Sequence, residues 1–173
     1  MRSTPRVVVT VGTDHHRFDR LVMWAEHWAT ANPDVPMLVQ RGESDPTSHA
    51  ESVPMLAYDQ LVAAMTGADA VVTQGGPAAI MDARSVGHRP VVVPRRGTLG
   101  EHVDDHQVRF TAWMAERDLV WLADDEHGLH RLLDRAMRDP QALRIPPDSG
   151  EVAESVERFA ALVDPLLTSR RRW

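Results

Sequence analysis

Residues 71–94 read VVTQGGPAAIMDARSVGHRPVVVP, an apolar run that meets a helical one at two glycines and a proline. Glycine lets backbone amides approach a ligand with no side chain between, and a helix entrance carries partial positive charge that suits an anion. Gly75 and Gly76 open such an entrance, Pro77 suits its first turn, and Asp82 follows one to two turns along. A carboxylate there can accept two hydrogen bonds from a ribose diol. The spacing therefore allows a nucleotide, its phosphates at the corner and its ribose near Asp82. Tight packing of strand against helix is the other use for glycines at this place.

Histidines supply the remaining candidate chemistry. His15 and His16 follow Gly12 in GTDHH (12–16), where an imidazole could act as general base or donate a proton to a departing phosphate. His102 and His106 stand four apart in RRGTLGEHVDDHQ (95–107), a spacing that would pair two imidazoles on one helical turn. That stretch reads as loop, however, and offers no evident third ligand locally, so no metal site is expected. Neither a G-x-G-x-x-G fingerprint nor a P-loop lysine is present. All 19 basic residues are arginine, which excludes any lysine Schiff base or lysine phosphate ligand.

These residues need elements to hold them. RVVVTVG (6–12) and ADAVVTQ (68–74) are β-branched runs that end at turn residues and lack alternation, the pattern of strands buried on both faces. PMLVQRG (36–42), RPVVVP (89–94) and LVWLAD (119–124) add further strands, and VPMLAY (53–58) an extended stretch. Helices are expected over HRFDRLVMWAEHWATAN; over DQLVAAMTG, with Asp59 as its N-cap; and over GPAAIMDARSVG, closed by Gly87. DHQVRFTAWMAERD, DEHGLHRLLDRAMRD and GEVAESVERFAALVDPLLTSR complete the set, with ESDPTSHAES (43–52) as a polar loop. Strands alternating with helices imply an α/β fold: one doubly wound, Rossmann-like domain over 1–173 with a mostly parallel sheet. Ligands are then expected in the crevice beyond the carboxyl ends of the strands, where the loops at 12–16, 73–77 and 95–107 converge. His27, His88, His127 and His130 are read as surface residues, and Trp24, Trp28, Trp113 and Trp121 as core.

A net charge of −6 gives no support to nucleic-acid binding, and the absence of cysteine excludes disulfides and thiolate chemistry. With no apolar stretch near 18 residues and no signal-peptide pattern, the cytoplasm is the expected location. The terminal SRRRW is a short basic tail, too small to anchor the chain to a membrane alone.

The three blocks together resemble the donor-nucleotide half of GT-B glycosyltransferases of family 28, and more narrowly the catalytic subunit of two-subunit UDP-N-acetylglucosamine transferases and their bacterial exopolysaccharide relatives. VTVGT…FDRLV (9–22) resembles the family's opening strand, glycine turn and helix. VVTQGGPAAIMDARSVGHRPVVVP resembles its glycine corner, carboxylate and valine-rich strand, and DDHQVRFTAWMAERD its His-Gln helix start. The resemblance implies that Gly12 and Thr13 lie at the diphosphate, with Thr73, Gln74, Gly75 and Gly76 beside it. Asp82 stands where the family usually has a glutamate on the ribose hydroxyls. Arg95 and Arg96 would flank the uracil or diphosphate, while His106 and Gln107 would reach the sugar or diphosphate. Gln74 replaces a frequent histidine or arginine, Gly75 an alanine, Pro77 is unusual, and Asp82 is one methylene short.

The implied activity is inverting, metal-independent transfer of a hexosyl group, such as N-acetylglucosaminyl, from a UDP-sugar, which is a substrate and not a cofactor. One domain supplies only the donor side. A separate membrane-associated subunit would bind a lipid-linked or glycan acceptor and hold this chain peripherally at the inner face of the membrane. It would dock over the crevice, with the helix near 150–168 as a second contact. A non-catalytic nucleotide-sugar-binding or regulatory module is the alternative that Gln74 and Pro77 keep open.

Overall fold

The computed structural model describes residues 4–147. The expected helix near 150–168 and the SRRRW tail lie outside them.

Six strands form one parallel sheet: β1 (Val7–Thr10), β2 (Met37–Gln40), β3 (Glu51–Val53), β4 (Ala70–Gln74), β5 (Val91–Val93) and β6 (Trp121–Leu122). Their spatial order is β3-β2-β1-β4-β5-β6. Val8 pairs with Leu38 on one side and with Val71 on the other, so β1 and β4 meet at the centre and the chain winds outwards from them. This is the doubly wound arrangement expected from the sequence, with its switch point between β1 and β4.

Helices cover both faces. Against one face, α1 (Asp19–Ala31) and α5 (Glu126–Arg138) pack Leu21, Ala25, Trp28, Leu129 and Leu133 onto Val7, Val9, Val72 and Val93. Against the other, α2 (Tyr58–Gly67) brings Met65 to Val8 and Val71. There too, α3 (Pro77–Ser85) and α4 (His106–Glu116) set Ile80, Phe110 and Met114 around Val92. Burial on both faces explains why the strand sequences run apolar without alternation.

Three details depart from the sequence reading. The N-cap of α2 is Ala57, whose amide donates to the Gln60 side chain at 3.3 Å; Asp59 sits inside the first turn instead. The third strand is Glu51–Val53, earlier than VPMLAY, because pairing with Leu38–Gln40 recruits polar residues that carry no strand pattern. His88 is fully buried, with Nε2 2.8 Å from the Met65 carbonyl, rather than lying on the surface. Gly87 before it closes α3 at φ +86°, and a Cβ there would meet the Ile145 carbonyl at 3.1 Å. His27, His127 and His130 are exposed or half-buried, as read, and Trp28 is core, its indole donating to Asp134 at 2.8 Å.

Candidate functional site

The carboxyl ends of β1 and β4 open into a cleft of about 190 Å³. Thr10, Gly12 and Thr13 line it from β1 and its loop, Gln40 from β2, and Gln74, Ala78, Ala79 and Asp82 from β4 and α3. Met55, Leu56, Tyr58 and Leu61 complete it from the segment entering α2. Ala78 and Ala79 belong to the first turn of α3, where an amide has no intrahelical acceptor and the helix dipole is positive. Asp82 stands one turn further, and its Oδ1 accepts a 3.0 Å hydrogen bond from the exposed Tyr58 hydroxyl. That bond raises the Tyr58 pKa, and the nearby negative charge adds to the shift. The cleft therefore offers orphan amides at one end and a solvent-accessible carboxylate with a phenol at the other. Gly12, Thr13, Gln74 and Asp82 are brought together as the sequence implied. Tyr58 and Met55 were missed, although Tyr58 is the sole tyrosine and opens α2.

The glycines turn out to serve different neighbours. A Cβ on Gly75 would lie 2.8 Å from Thr111 Cγ2 and 3.0 Å from Gln107 Cβ, so α4 packs directly on this residue. Gly75 answers to the next turn of protein. Gly12 and Gly76 instead make room for Gln74, whose amide would meet a Cβ on Gly12 at 2.8 Å and one on Gly76 at 2.3 Å. The Gln74 side chain thus lies between the two glycine turns, with its Oε1 buried and unpartnered. Gly12 has φ +79°, and its amide donates to Thr10 Oγ1 at 3.1 Å. Gly76 caps α3 and Pro77 occupies its first position, as the sequence suggested.

Several residues expected at a ligand are built into the scaffold. Gln107 is buried, and its Oε1 accepts from the Gly75 amide (3.0 Å) and the Arg95 amide (3.1 Å), fastening α4 to both loops. Thr73 is fully buried within the sheet. Arg95 has 0% exposure, so it does not flank the cleft with its charge. Its guanidinium donates to the backbone carbonyls of His16 (2.8 Å), Arg17 (3.3 Å), Glu101 (3.0 Å) and Val11 (2.9 Å), and stacks 4.7 Å from the Phe18 ring. Burial lowers its pKa, opposed by the charges of Asp14 and Glu101. Alongside it, Arg20 forms a fork-to-fork pair with Glu101 at 2.8 Å for each bond, and Glu101 also accepts from the Arg96 amide at 2.9 Å. These contacts tie the loop after β1 to the loop after β5.

On that tied lip the histidines gather. His16 Nδ1 lies 2.6 Å from Asp14 Oδ1, and His102 Nε2 lies 3.5 Å from Asp14 Oδ2. His16 and His102 stack at 5.8 Å, and His102 meets His106 edge-on at 4.5 Å. Burial would raise the Asp14 pKa, but hydrogen bonds from the His16 amide and ring hold it below the ordinary carboxylate range. His15 is the outermost, with 86% of its side chain exposed. The lip also carries exposed Leu99 and Val103, the latter 77% exposed.

The glycosyltransferase family 28 C-terminal domain matches residues 6–162. The chain belongs to that family. Among solved structures it is similar to the glycotransferase of kitacinnamycin, with a TM-score of 0.59 and 18% identity over 81% of this chain and 37% of that one. The MurG of Acinetobacter baumannii aligns with TM-score 0.55 and 19% identity over 83% of this chain and 44% of that one. The UDP-GlcNAc 2-epimerase of Methanocaldococcus jannaschii, solved with UDP-GlcNAc and UDP, aligns with TM-score 0.53 and 10% identity over 91% and 45%. No curated protein matches. The fold is thus that of the C-terminal half of a GT-B enzyme, and the chain spans less than half the length of these structures. No helix among the described residues is long and apolar enough to cross a membrane.

Proposed function

We propose that this family member binds the donor of a glycosyl transfer, a UDP-sugar carrying a hexosyl group such as N-acetylglucosaminyl, in the cleft at the switch point. The observation that carries the reading is the shared lining of that cleft: first-turn amides of α3 and the Asp82 carboxylate, one turn apart. The diphosphate would lie on the amides of Ala78 and Ala79 and the ribose diol on Asp82, with the uridine towards Tyr58 and Met55. The Gln74 side chain would have to swing aside or donate its amide to a phosphate oxygen.

In the transfer, an acceptor hydroxyl oxygen attacks the anomeric carbon as its bond to the diphosphate oxygen breaks, inverting the centre. The departing negative charge falls at the helix entrance, where prearranged dipoles stabilise it without a metal ion. His15, His16 and His106 are the lip's candidates to protonate that phosphate. The acceptor hydroxyl's proton passes to a base on a separate, membrane-associated acceptor-binding subunit. The exposed Leu99 and Val103 on the lip suit such a partner.

Calorimetry against UDP, GDP and dTDP, and their sugars, tests the reading. UDP should bind best, and Asp82→Ala should weaken it by about 1–3 kcal/mol without unfolding the protein. Equal affinity in a folded Asp82→Ala protein would remove the carboxylate from the site. Robust transfer to a lipid-linked acceptor by the 173-residue chain alone would refute the two-subunit arrangement.

A further inference from the structure

We propose that His102, Asp104 and His106 bind one divalent transition-metal ion of the zinc type, with Asp14 bracing His102 from behind. One ligand atom from each of the three residues lies within 4.8 Å of the other two. A tetrahedral zinc ion, with bonds of about 2.0–2.2 Å, needs its ligand atoms about 3.4 Å apart, so modest side-chain rotation closes the set.

His102 supplies the decisive detail. Its Nε2 faces Asp14 Oδ2 at 3.5 Å, while its Nδ1 is buried with no hydrogen-bond partner. A ring that turns one nitrogen towards a carboxylate and keeps the other unpaired is arranged as metal-binding imidazoles are, with the carboxylate fixing tautomer and orientation. Leaving that nitrogen desolvated and unpaired is costly, and an ion removes the cost. The backbone supports the turn independently. The Gly97 amide donates to Asp105 Oδ1 at 2.7 Å, and a Cβ on Gly97 would strike the Asp104 backbone at 2.8 Å. The loop can fold back over itself there only without a side chain. Asp104 Oδ1 in turn accepts from the His106 amide at 2.9 Å, which places the carboxylate beside the His106 ring.

Two imidazoles and one carboxylate select zinc, nickel or copper over magnesium or calcium, and leave a fourth position for water. The ion would clip the loop after β5 to the loop after β1 through Asp14, alongside the Arg95 and Arg20–Glu101 contacts. None of His102, Asp104 and His106 lines the nucleotide cleft, so this proposal stands or falls apart from the donor-binding one. With the ion bound, the His106 lone pair is committed, which leaves His15 and His16 for proton transfer on the lip.

The test uses the full chain without a histidine tag, stripped with chelator. Zn²⁺ is titrated by calorimetry and Co²⁺ by visible absorption. One ion per chain should bind, with the intense absorption of four-coordinate cobalt and a raised melting temperature. His102→Gln should abolish both signals. Asp14→Asn, which changes no ligand and almost no volume, should weaken binding by about 10–100-fold. His127→Gln, at an exposed site on α5, should bind like the wild type. Far-UV circular dichroism and a cooperative thermal unfolding transition, measured on each metal-free variant, report that the fold is intact. Absence of stoichiometric cobalt uptake, or uptake by folded His102→Gln as tight as the wild type's, would overturn the proposal.

Discussion

The two walls of the crevice are built on opposite plans. One wall, formed by α3 and the entry to α2, presents its polar groups outward: the first-turn amides of Ala78 and Ala79, and an Asp82 carboxylate that, among the described residues, accepts from an exposed phenol. The other, formed by the loops after β1 and β5, turns its polar groups inward. Arg95 spends its guanidinium on four carbonyls, Gln107 its oxygen on two amides, and Glu101 its carboxylate on Arg20 and Arg96. Loops cannot satisfy their own backbone as helices do, so a buried loop needs long side chains to replace the missing ladder. The comparison teaches that a conspicuous charge in a binding loop is as apt to hold the loop as to hold a ligand.

The largest blow to the inward wall is Arg95→Ala, which leaves four carbonyls of two loops without a donor. A stability loss on the order of 4 kcal/mol is expected in urea unfolding, against less than about 0.5 kcal/mol for Arg96→Ala. Equal effects of the two substitutions would dissolve the contrast between the walls.

A pH titration examines what stands behind the outward wall. His88 follows α3, donates from Nε2 to the Met65 carbonyl, and has its pKa pushed down to about 4, mainly by burial and further by the Arg144 charge. The unfolded chain binds this proton near pH 6.5, so the fold loses stability as pH falls from there towards 4. The loss should approach about 3 kcal/mol, and His88→Gln should flatten that part of the profile. A wild-type curve with no slope between those values would show that His88 is not held neutral.

Next in size is the difference between neighbouring glycines. Gly75→Ala drives a methyl into Thr111 and Gln107 of α4 and should cost about 1–3 kcal/mol. Gly76→Ala meets only the movable end of Gln74 and should cost under about 0.5 kcal/mol. A reversed order, read by thermal unfolding, would mean that Gln74 and not α4 sets the width of the corner.

The smallest effect isolates the outward wall from the scaffold. Tyr58→Phe removes the bond to Asp82 yet sits on the surface, so stability should hold while UDP binding weakens by about 0.5–1 kcal/mol. Unchanged affinity would restrict the ribose contact to Asp82 alone.

Much of the fold was legible because its signals are local. Unbroken valine runs, Gly87 after α3 and Pro77 at its start each follow from neighbouring residues, and the parallel sheet follows from their alternation with helices. Of the candidate site, only the placement of Asp82 beside the cleft was legible, because the helix that carries it positions it. The burial of Arg95 and the double duty of Gln107 depend on residues from other loops, up to 84 positions away along the chain, which no window of sequence contains. Strand β3 escaped for a related reason, since Glu51 and Ser52 join the sheet through pairing with β2 and not through their own preference. Asp104, the third member of the proposed metal set, stands between His102 and His106 in the sequence, but the turn that brings its carboxylate beside the His106 ring requires Gly97, seven residues earlier.

The two outer strands carry a consequence of their own. β3 has three residues and exposes Glu51, and β6 has two. A neighbouring copy seeking to add itself along either margin would find few free amides and carbonyls, and on one side a charge. Ribbon-like self-association is thereby discouraged at both ends of the sheet. Neither margin then competes with the loop-bearing rim, on which the proposed donor cleft opens.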